Sequence, residues 1–432
     1  MSKTLFDNIS LLVTNDPAHD GTPLGVINNG AVLVEDGKIA WIGESAKAPR
    51  ADAAEIIDAN DRCVIPGFVD SHNHLVFAGD RSAEFRARMQ GEKYTAGGIN
   101  YTVEKTRLAT RETLVSNVKS LVSEANSTGT TTLEIKSGYG LTPAHEKRSL
   151  DIAREFTEET TFLGAHVVPA EFIGNADEYV SLVIGEMLDE VKASSKWIDV
   201  FCDRGAFTPD QTRTILKAGI AKGLAPRLHA NQLEAGEGIA IGVELDAASV
   251  DHVSHFTDAD IALLSKSNTV ATFLPGAEFS TRSKYPDARR MLEAGVDLAI
   301  ASDCNPGSSY TNNMQFIIAL AVRECFFTPE QALWSATAGG AKALRDAGVE
   351  VIHEKSSALE FEQRGWLHRI NLGRPLITAK IGITLDGRIA ASDGSSKWIT
   401  SESSRQDVQA LRSRVGAIIT STTTYQVDNP SL

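Results

Sequence analysis

Hydrophobic and polar positions follow two different patterns along the chain, and the change comes near residue 62. Before it, short apolar segments alternate with polar residues at the period of two that is typical of β-strands. Gly30–Val34 and Lys38–Gly43 flank Asp36-Gly37, a strong signal for a β-hairpin. The pattern predicts a small, separate β unit over residues 1–61.

From residue 62 onward, continuous apolar runs alternate with helical segments such as Arg111–Thr128 and Asp258–Lys266. Runs that are apolar throughout are typical of a parallel sheet covered by helices on both faces. Eight such strands with helices between them predict an α/β fold, a (β/α)8 TIM-like barrel over residues 62–345. The predicted strands are Cys63–His74, Thr130–Ser137, Thr160–His166, Trp197–Asp203, Pro226–Asn231, Ala248–His255, Thr269–Pro275 and Val296–Asp303.

The first predicted barrel strand ends in His72-Asn73-His74. Residues two apart on a strand point to the same face, so these two imidazoles are aimed at one point. Neutral imidazole nitrogens are preferred ligands of zinc and iron. Taken alone the motif is ambiguous, because two histidines at this spacing are more often polar surface residues.

Other residues whose side chains can take part in catalysis or metal binding stand at the ends of the later strands, where barrel enzymes have their active sites. They are Lys136–Gly140, His166, Asp203, His229, His252 and Asp303. Each of these residues, considered alone, is explained as well by a role in capping a helix or forming a loop. Together with His72 and His74, these make five histidines and two aspartates at one rim, which are not expected from independent accidents.

Three imidazoles and one carboxylate can converge on a zinc or iron ion and leave room for a water: those of His72, His74, His229 and Asp303. A bound metal lowers the pKa of such a water toward neutrality. Asp303 can take the water's proton and pass it to a leaving nitrogen, and His252 can polarise the scissile carbonyl or assist proton transfer. The predicted chemistry is metal-assisted hydrolysis of a C–N bond.

Composition narrows the choice of partner to a small molecule. The chain has 432 residues, a formal net charge of −14 and no basic run, which disfavours binding to nucleic acid or an anionic membrane. No apolar run has the length of a membrane span, and the N-terminus lacks the apolar core of a signal peptide. The four widely spaced cysteines are expected to be reduced thiols, which predicts a cytoplasmic protein.

Taken together, the rim motifs resemble the amidohydrolase superfamily and, within it, the imidazolonepropionase family, over roughly residues 1–344. The segments that carry the resemblance are Pro66–His74, Lys136–Gly140, Leu163–His166, Leu228–Gln232, Val250–His252 and Ser302–Gly307. The resemblance implies one Zn²⁺ or Fe²⁺/Fe³⁺ ion per chain and opening of the ring of 4-imidazolone-5-propanoate to N-formimidoyl-L-glutamate. Related barrels often form homodimers, and a different amidohydrolase or deaminase reaction is the alternative chemistry in the barrel.

The same resemblance implies substrate-binding roles for Arg81, Tyr139, His166, Gln232, Asn305, Gly307 and Ser308. A guanidinium can pair with the propionate through two hydrogen bonds, although a surface salt bridge is the alternative for Arg81. Asp203 departs from the family pattern, because relatives with two metals have a bridging carbamylated lysine or a glutamate at this position. One metal is therefore expected, with a second, weaker site through Asp203 left open.

Residues 346–432 resemble a different family, the bifunctional riboflavin-biosynthesis deaminase/reductases, and the match is strongest in Arg374–Lys380, Leu385–Ala390 and Gly394–Ser401. It implies a linker followed by a truncated fragment of a dihydrofolate-reductase-like α/β fold. Family positions that match Ser396 and Arg412 contact the ribosylamino-pyrimidine. Those that contact NADPH match Trp398, Thr424 and Asp428.

This fragment lacks the deaminase motif and the later glycine-rich loop of the reductase. NADPH-dependent reduction of 5-amino-6-(5-phosphoribosylamino)uracil is therefore the alternative function, and a chain without activity is a third hypothesis. Strands are predicted at Leu376–Ile383 and Ala417–Ser421, with a helix at Ser403–Arg414. We interpret the chain as a junction of two unrelated reading frames. The β unit is then half of a β-sandwich without its partner strands, and its sheet edges are expected to be exposed.

Overall fold

The computed structural model describes residues 3–92, 98–345, 378, 388, 392, 395 and 400–413. The chain divides into two compact units, Met1–His353 and Glu354–Leu432. The first unit contains both the N-terminal sheet and the barrel.

The strands of the first unit are β1 (Lys3–Val13), β2 (Val26–Glu35), β3 (Lys38–Glu44), β4 (Glu55–Val64), β5 (Phe68–Asp70), β6 (Thr130–Leu133), β7 (Ile135–Lys136), β8 (Thr160–Ala165), β9 (Trp197–Cys202), β10 (Ala225–Pro226), β11 (Leu228–Ala230), β12 (Ser249–His252), β13 (Val270–Phe273) and β14 (Leu298–Ile300).

Its helices are α1 (Ser82–Met89), α2 (Ile99–Leu108), α3 (Arg111–Ser127), α4 (Pro143–Ala153), α5 (Ala176–Leu182), α6 (Leu188–Val191), α7 (Pro209–Ala221), α8 (Gly238–Glu244), α9 (Asp258–Leu264), α10 (Pro275–Thr281), α11 (Arg289–Glu293), α12 (Met314–Glu324), α13 (Pro329–Trp334) and α14 (Gly340–Ala343). Several begin at a threonine whose side chain accepts a hydrogen bond from the third residue of the helix, which satisfies an otherwise unpaired backbone N–H. These caps are Thr110, Thr142, Thr208, Thr257 and Thr328.

The N-terminal sheet has the strand order β3-β2-β1-β4. The predicted hairpin is confirmed: β2 and β3 are antiparallel, and Asp36 and Gly37 both have positive φ (51° and 76°), as a two-residue type I′ turn requires. The outer strands carry side chains such as Ile39 and Ile56 that are more than half exposed.

All eight predicted barrel strands form, but the first is divided. Cys63 and Val64 belong to β4 and pair with β1 of the N-terminal sheet, and the barrel strand begins only at Phe68. Pro66 lies between them, and proline cannot donate a ladder hydrogen bond. The prediction of one continuous strand over Cys63–His74 is therefore wrong.

The barrel strands pair in parallel and in sequence order from β7 to β14. The segment after β5 completes the ring: the N–H of Asp303 donates to the carbonyl of His72 (3.0 Å) and the N–H of His74 to that of Cys304 (2.9 Å). On the other side of this segment, Lys136 N–H donates to the Asn73 carbonyl (2.8 Å). The barrel thus brings the ends of the first and last strands together, with one continuous apolar core around them.

In the second unit the structure describes one helix, α15 (Glu402–Ser413), close to the predicted Ser403–Arg414. The strands predicted at Leu376–Ile383 and Ala417–Ser421 lie outside the described residues, apart from the single residue Thr378. Within the described part of the chain, no helix combines the length and the apolarity needed to cross a membrane.

Candidate active site

The four predicted metal ligands meet inside the carboxyl-terminal rim of the barrel. The Nε2 atom of His74 lies 3.3 Å from Nε2 of His72 and 3.3 Å from Nε2 of His229. Oδ1 of Asp303 lies 3.7 Å and 3.6 Å from the Nε2 atoms of His72 and His74. All four side chains are buried, so the atoms that could bind a metal face one another in a space closed to bulk water.

Two buried carboxylates orient two of these imidazoles. Nδ1 of His72 lies 2.7 Å from Oδ2 of Asp251, and Nδ1 of His229 lies 2.9 Å from Oδ2 of Asp199. Because an ionised carboxylate only accepts hydrogen bonds, each Nδ1 carries the proton and each Nε2 presents a lone pair. This arrangement of histidine and carboxylate is typical of metal sites.

The protonation state of the histidines also fits a cation. Burial lowers the pKa of His72 and of His74 well below the usual value, so both rings are neutral. Neutral imidazoles whose Nε2 atoms lie 3.3 Å apart repel through their lone pairs unless a proton or a cation lies between them. The donor set of three nitrogens and a carboxylate oxygen fits zinc or iron.

His252 stands beside this cluster at the end of β12. Its ring centre lies 5.6 Å from that of His72 and 5.4 Å from that of His229. His252 and Val253 both adopt positive φ (77° and 44°), an uncommon backbone conformation that concentrates at functional sites. Burial lowers the pKa of His252 well below the usual value, so its ring is neutral and can donate or accept a hydrogen bond.

Asp303 has its own support from the loop that follows it. Ser308 Oγ donates to its Oδ2 (3.2 Å), and Asn305 Nδ2 donates to its backbone carbonyl (2.6 Å). Burial raises the pKa of Asp303 well above the usual value, and the hydrogen bonds from Asn305 and Ser308 oppose that shift.

The loop residues that were predicted to bind substrate are closely connected to one another. Oδ1 of Asn305 accepts hydrogen bonds from the backbone N–H of Gly307 (2.8 Å) and of Ser308 (2.7 Å), and its Nδ2 also contacts Ser308 Oγ (2.9 Å). The Asn305 side chain therefore shapes the turn that carries Gly307 and Ser308.

Arg81 is buried next to this turn, which argues against a simple surface salt bridge. Its guanidinium makes two hydrogen bonds to the carboxylate of Glu84, at 2.9 and 2.7 Å. A Cβ atom on Gly307 would lie 2.2 Å from Arg81 Nη1, and one on Gly98 would lie 2.2 Å from Nη2. The guanidinium thus fits between two glycines.

His166 and Tyr139 form the wall beside His74. The rings of His166 and His74 are stacked, with centres 5.3 Å apart, and the Tyr139 ring lies 5.2 Å from that of His166. His166 Nδ1 lies 3.0 Å from the Gly138 carbonyl, and burial lowers the pKa of His166 to about 3. Gln232 lies half-buried three residues after His229.

Asp203 does not join the metal-ligand cluster. Its Oδ2 accepts a hydrogen bond from the backbone N–H of Leu233 (2.8 Å) and its Oδ1 one from that of Arg204 (2.7 Å). Among the described residues, the groups with ligand atoms close enough for one metal are His72-His229-His252 and His72-His74-Asp303. The second metal site through Asp203 that the sequence left open finds no support in this geometry.

Sequence reasoning missed a layer of buried ionic residues beneath the cluster. It placed Lys136 at the rim and did not name the other members, which are Glu134, Asp199, Arg227 and Asp251. All are at most 1% exposed. The signal was present in the sequence, because charged residues inside otherwise apolar strands need partners when buried.

In the tail, the residues predicted to contact NADPH, namely Trp398, Thr424 and Asp428, lie outside the described residues, as does Ser396. Arg412 lies in α15 and is half-buried.

The barrel and the cluster are those expected of a barrel hydrolase with a candidate metal site, and comparison with known proteins shows the hydrolase family. The profile of the Amidohydrolase family matches residues 63–358, and that of the RibD C-terminal domain matches residues 375–432. An imidazolonepropionase of Mycolicibacterium smegmatis is 57% identical over 382 residues, covering 88% of this chain and 96% of that protein. Another, of Salinispora arenicola, is 61% identical over 351 residues, covering 81% and 89%.

Solved structures show the same fold at much lower identity. Guanine deaminase from C. acetobutylicum has a TM-score of 0.61 at 16% identity, covering 86% of this chain and 96% of that one. A triazine hydrolase variant has a TM-score of 0.61 at 14% identity, covering 82% and 85%. The chain belongs to the amidohydrolase family and, within it, to the imidazolonepropionases, followed by a RibD C-terminal domain segment.

Proposed function

We propose that the chain hydrolyses 4-imidazolone-5-propanoate to N-formimidoyl-L-glutamate with one zinc or iron ion held by His72, His74, His229 and Asp303. The convergence of three imidazole Nε2 atoms and one carboxylate in a closed space is the observation that carries this proposal. The choice of substrate is based on the names of the similar proteins from M. smegmatis and S. arenicola, both of which are imidazolonepropionases.

The reaction adds water across the ring amide: the oxygen joins the carbonyl carbon, the C–N bond breaks and a proton passes to the leaving nitrogen. A bound zinc or iron ion lowers the pKa of a water and polarises the carbonyl. Asp303 Oδ accepts the water's proton and returns it to the nitrogen. His252, neutral and next to the cluster, donates a hydrogen bond to the carbonyl oxygen as charge develops on it.

Arg81 binds the propionate carboxylate through two hydrogen bonds, in exchange for those it makes with Glu84. Tyr139, His166 and Gln232 hydrogen-bond the polar edge of the planar ring. Gly307 and Ser308 contribute the turn that borders the Arg81 guanidinium, and Asn305 holds that turn in shape.

The experiment measures the loss of 4-imidazolone-5-propanoate absorbance and the metal content of the same purified sample. We expect turnover with about one zinc or iron ion per chain. His229→Ala should bind little metal and lose at least about 100-fold in kcat/KM, because even residues behind a ligand cost 10- to 100-fold. His19→Ala is the matched control, since His19 is exposed in the N-terminal sheet region. Normal metal content and turnover in His229→Ala would refute the proposal.

The RibD C-terminal domain match favours a second, lesser proposal, that the tail contacts NADPH through Trp398, Thr424 and Asp428. Quenching of Trp398 fluorescence on NADPH titration, absent in Asp428→Ala, would support it. The homodimer and the cytoplasmic location stay predictions, tested by light scattering and by cell fractionation.

A further inference from the structure

The buried layer beneath the metal cluster, which we call the ion layer, consists of five charged side chains from four barrel strands. Three are carboxylates and two are cations, so the layer carries one net formal negative charge. Its members are Glu134, Lys136, Asp199, Arg227 and Asp251, each at most 1% exposed. Charges at this depth are costly unless they are paired and hydrogen-bonded, so each member needs the others.

Lys136 occupies the centre of the ion layer. Its Nζ lies 2.9 Å from Oδ2 of Asp199, 3.1 Å from Oε1 of Glu134 and 3.8 Å from Oδ2 of Asp251. The two aspartate oxygens are the same atoms that accept hydrogen bonds from His229 Nδ1 and His72 Nδ1. One ammonium group is therefore in contact with both carboxylates that orient metal-binding imidazoles.

Arg227 makes direct contact with one side of this arrangement. Its Nη2 lies 3.1 Å from Oδ2 of Asp251 and donates to the Ser71 carbonyl (2.6 Å), while Nη1 donates to the Ala343 carbonyl (3.0 Å). Asp251 keeps this partner if Lys136 is removed. Among the described residues, Lys136 is the cation in direct contact with Asp199, so the His229 side should respond most to the loss of the ammonium.

We propose that Lys136 is a positioning residue for the metal site: its ammonium holds Asp199 and Asp251 so that His229 and His72 keep their Nε2 atoms aimed at the ion. The inference rests on the proposed function, because it requires the metal centre. Lys136 itself does not reach substrate in this role, since it lies behind the imidazoles.

The test compares metal retention in the full-length chain and three variants. Lys136→Met removes the ammonium. Lys136→Met combined with Glu134→Gln removes a cation and a carboxylate together, which restores the net charge of the ion layer and favours folding. Lys147→Met is the control, because Lys147 makes a half-exposed pair with Asp151 on α4. Each cobalt-loaded protein is titrated with a chelator, and the visible cobalt spectrum and bound metal are recorded.

We expect both Lys136 variants to release metal at about 10- to 100-fold lower chelator concentration than the original chain, as residues that orient ligands do elsewhere. Their cobalt spectra should change, because the geometry around the ion changes, and excess metal should restore occupancy. The Lys147 variant should behave like the original chain.

If both Lys136 variants hold cobalt as tightly and with the same spectrum as the original chain, the positioning role is wrong while the proposed function stands. Weak binding in the single variant with normal binding in the double variant would overturn it too, and would assign the effect to net charge. An original chain that binds no metal would instead refute the metal-dependent function on which the inference depends.

Discussion

Glu278, on α10 at the rim of the barrel, is a buried carboxyl group with incomplete hydrogen bonding. Ser254 Oγ donates to its Oε1, whereas Oε2 has no hydrogen-bond partner within the described residues. Burial raises the pKa of Glu278 to about 7. The folded chain therefore keeps this proton at a pH where the unfolded chain has already released it.

This shift predicts a pH-dependent stability. At a pH below the pKa that Glu278 has in the unfolded chain, its contribution to the stability of the folded state is fully present. That contribution is lost as pH rises through about 7, the pKa in the folded chain. Glu278→Gln cannot ionise, so its free energy of unfolding should exceed that of the original chain by about 3 kcal/mol at pH 8 and by much less at pH 5. Unfolding in guanidinium chloride at both pH values measures this difference in the free energy of unfolding.

Glu158→Gln is the control for that comparison, because Glu158 is exposed and should show the same small difference at both pH values. A Glu278→Gln protein that is no more stable at pH 8 than the original chain would contradict the prediction.

At the level of structural elements, the turn after Asp303 leaves room for the Arg81 guanidinium because Gly307 has no side chain. A methyl group there would lie 2.2 Å from Arg81 Nη1, so Gly307→Ala must displace the guanidinium. Since a hydrogen bond to a charged group contributes about 1.5–3 kcal/mol, KM for the propionate substrate should rise about 10- to 100-fold. The melting temperature should change little, because the guanidinium can swing aside.

Steady-state kinetics on Gly307→Ala and on Gly236→Ala separate this effect from general damage. A methyl group on Gly236 would make only an ordinary contact, at 3.7 Å with Asn231 Oδ1. An unchanged KM in Gly307→Ala would exclude Arg81 as the partner of the propionate.

The positions of the barrel strands could be predicted from sequence because apolar runs and their separations are local properties. The prediction failed where a local break decided the outcome: Pro66 divides the first run between two sheets. Likewise the second and fifth strands are interrupted at Glu134 and Arg227, each of which turns into the ion layer.

The convergence of the candidate metal ligands could be predicted because each stands at or just after a strand end, where the barrel topology brings the side chains together. Charged residues within apolar strands signalled buried partners, but the grouping of these residues into the ion layer could not be predicted, since it depends on which residues of non-adjacent strands share a level. Lys136, Asp199 and Asp251 come from the second, fourth and sixth strands, and alternate strands of a barrel fill the same interior layer. That register is a property of the closed sheet and leaves no local signal.

At the scale of the whole barrel, the candidate metal ligands come from distant strands. His72 and His74 follow the first strand, His229 lies on the fifth and Asp303 follows the last. Backbone hydrogen bonds already hold the first and last strands together, whereas His229 reaches the other ligands only across the barrel interior. A bound ion would therefore add a cross-link that the backbone does not provide.

Removal of the metal should accordingly lower the stability of the whole barrel. An ion present at 1,000 times its dissociation constant stabilises the folded state by about 4 kcal/mol, so calorimetry should show a melting temperature several degrees lower in excess chelator. Zinc or iron added back should restore it. His229→Ala should melt at the same temperature with and without chelator, because it lacks the ligand that spans the interior. If the original chain also melted at one temperature in both conditions, the ion would contribute nothing to the fold, and the repulsion inferred among the three Nε2 atoms would have to be relieved by protonation instead.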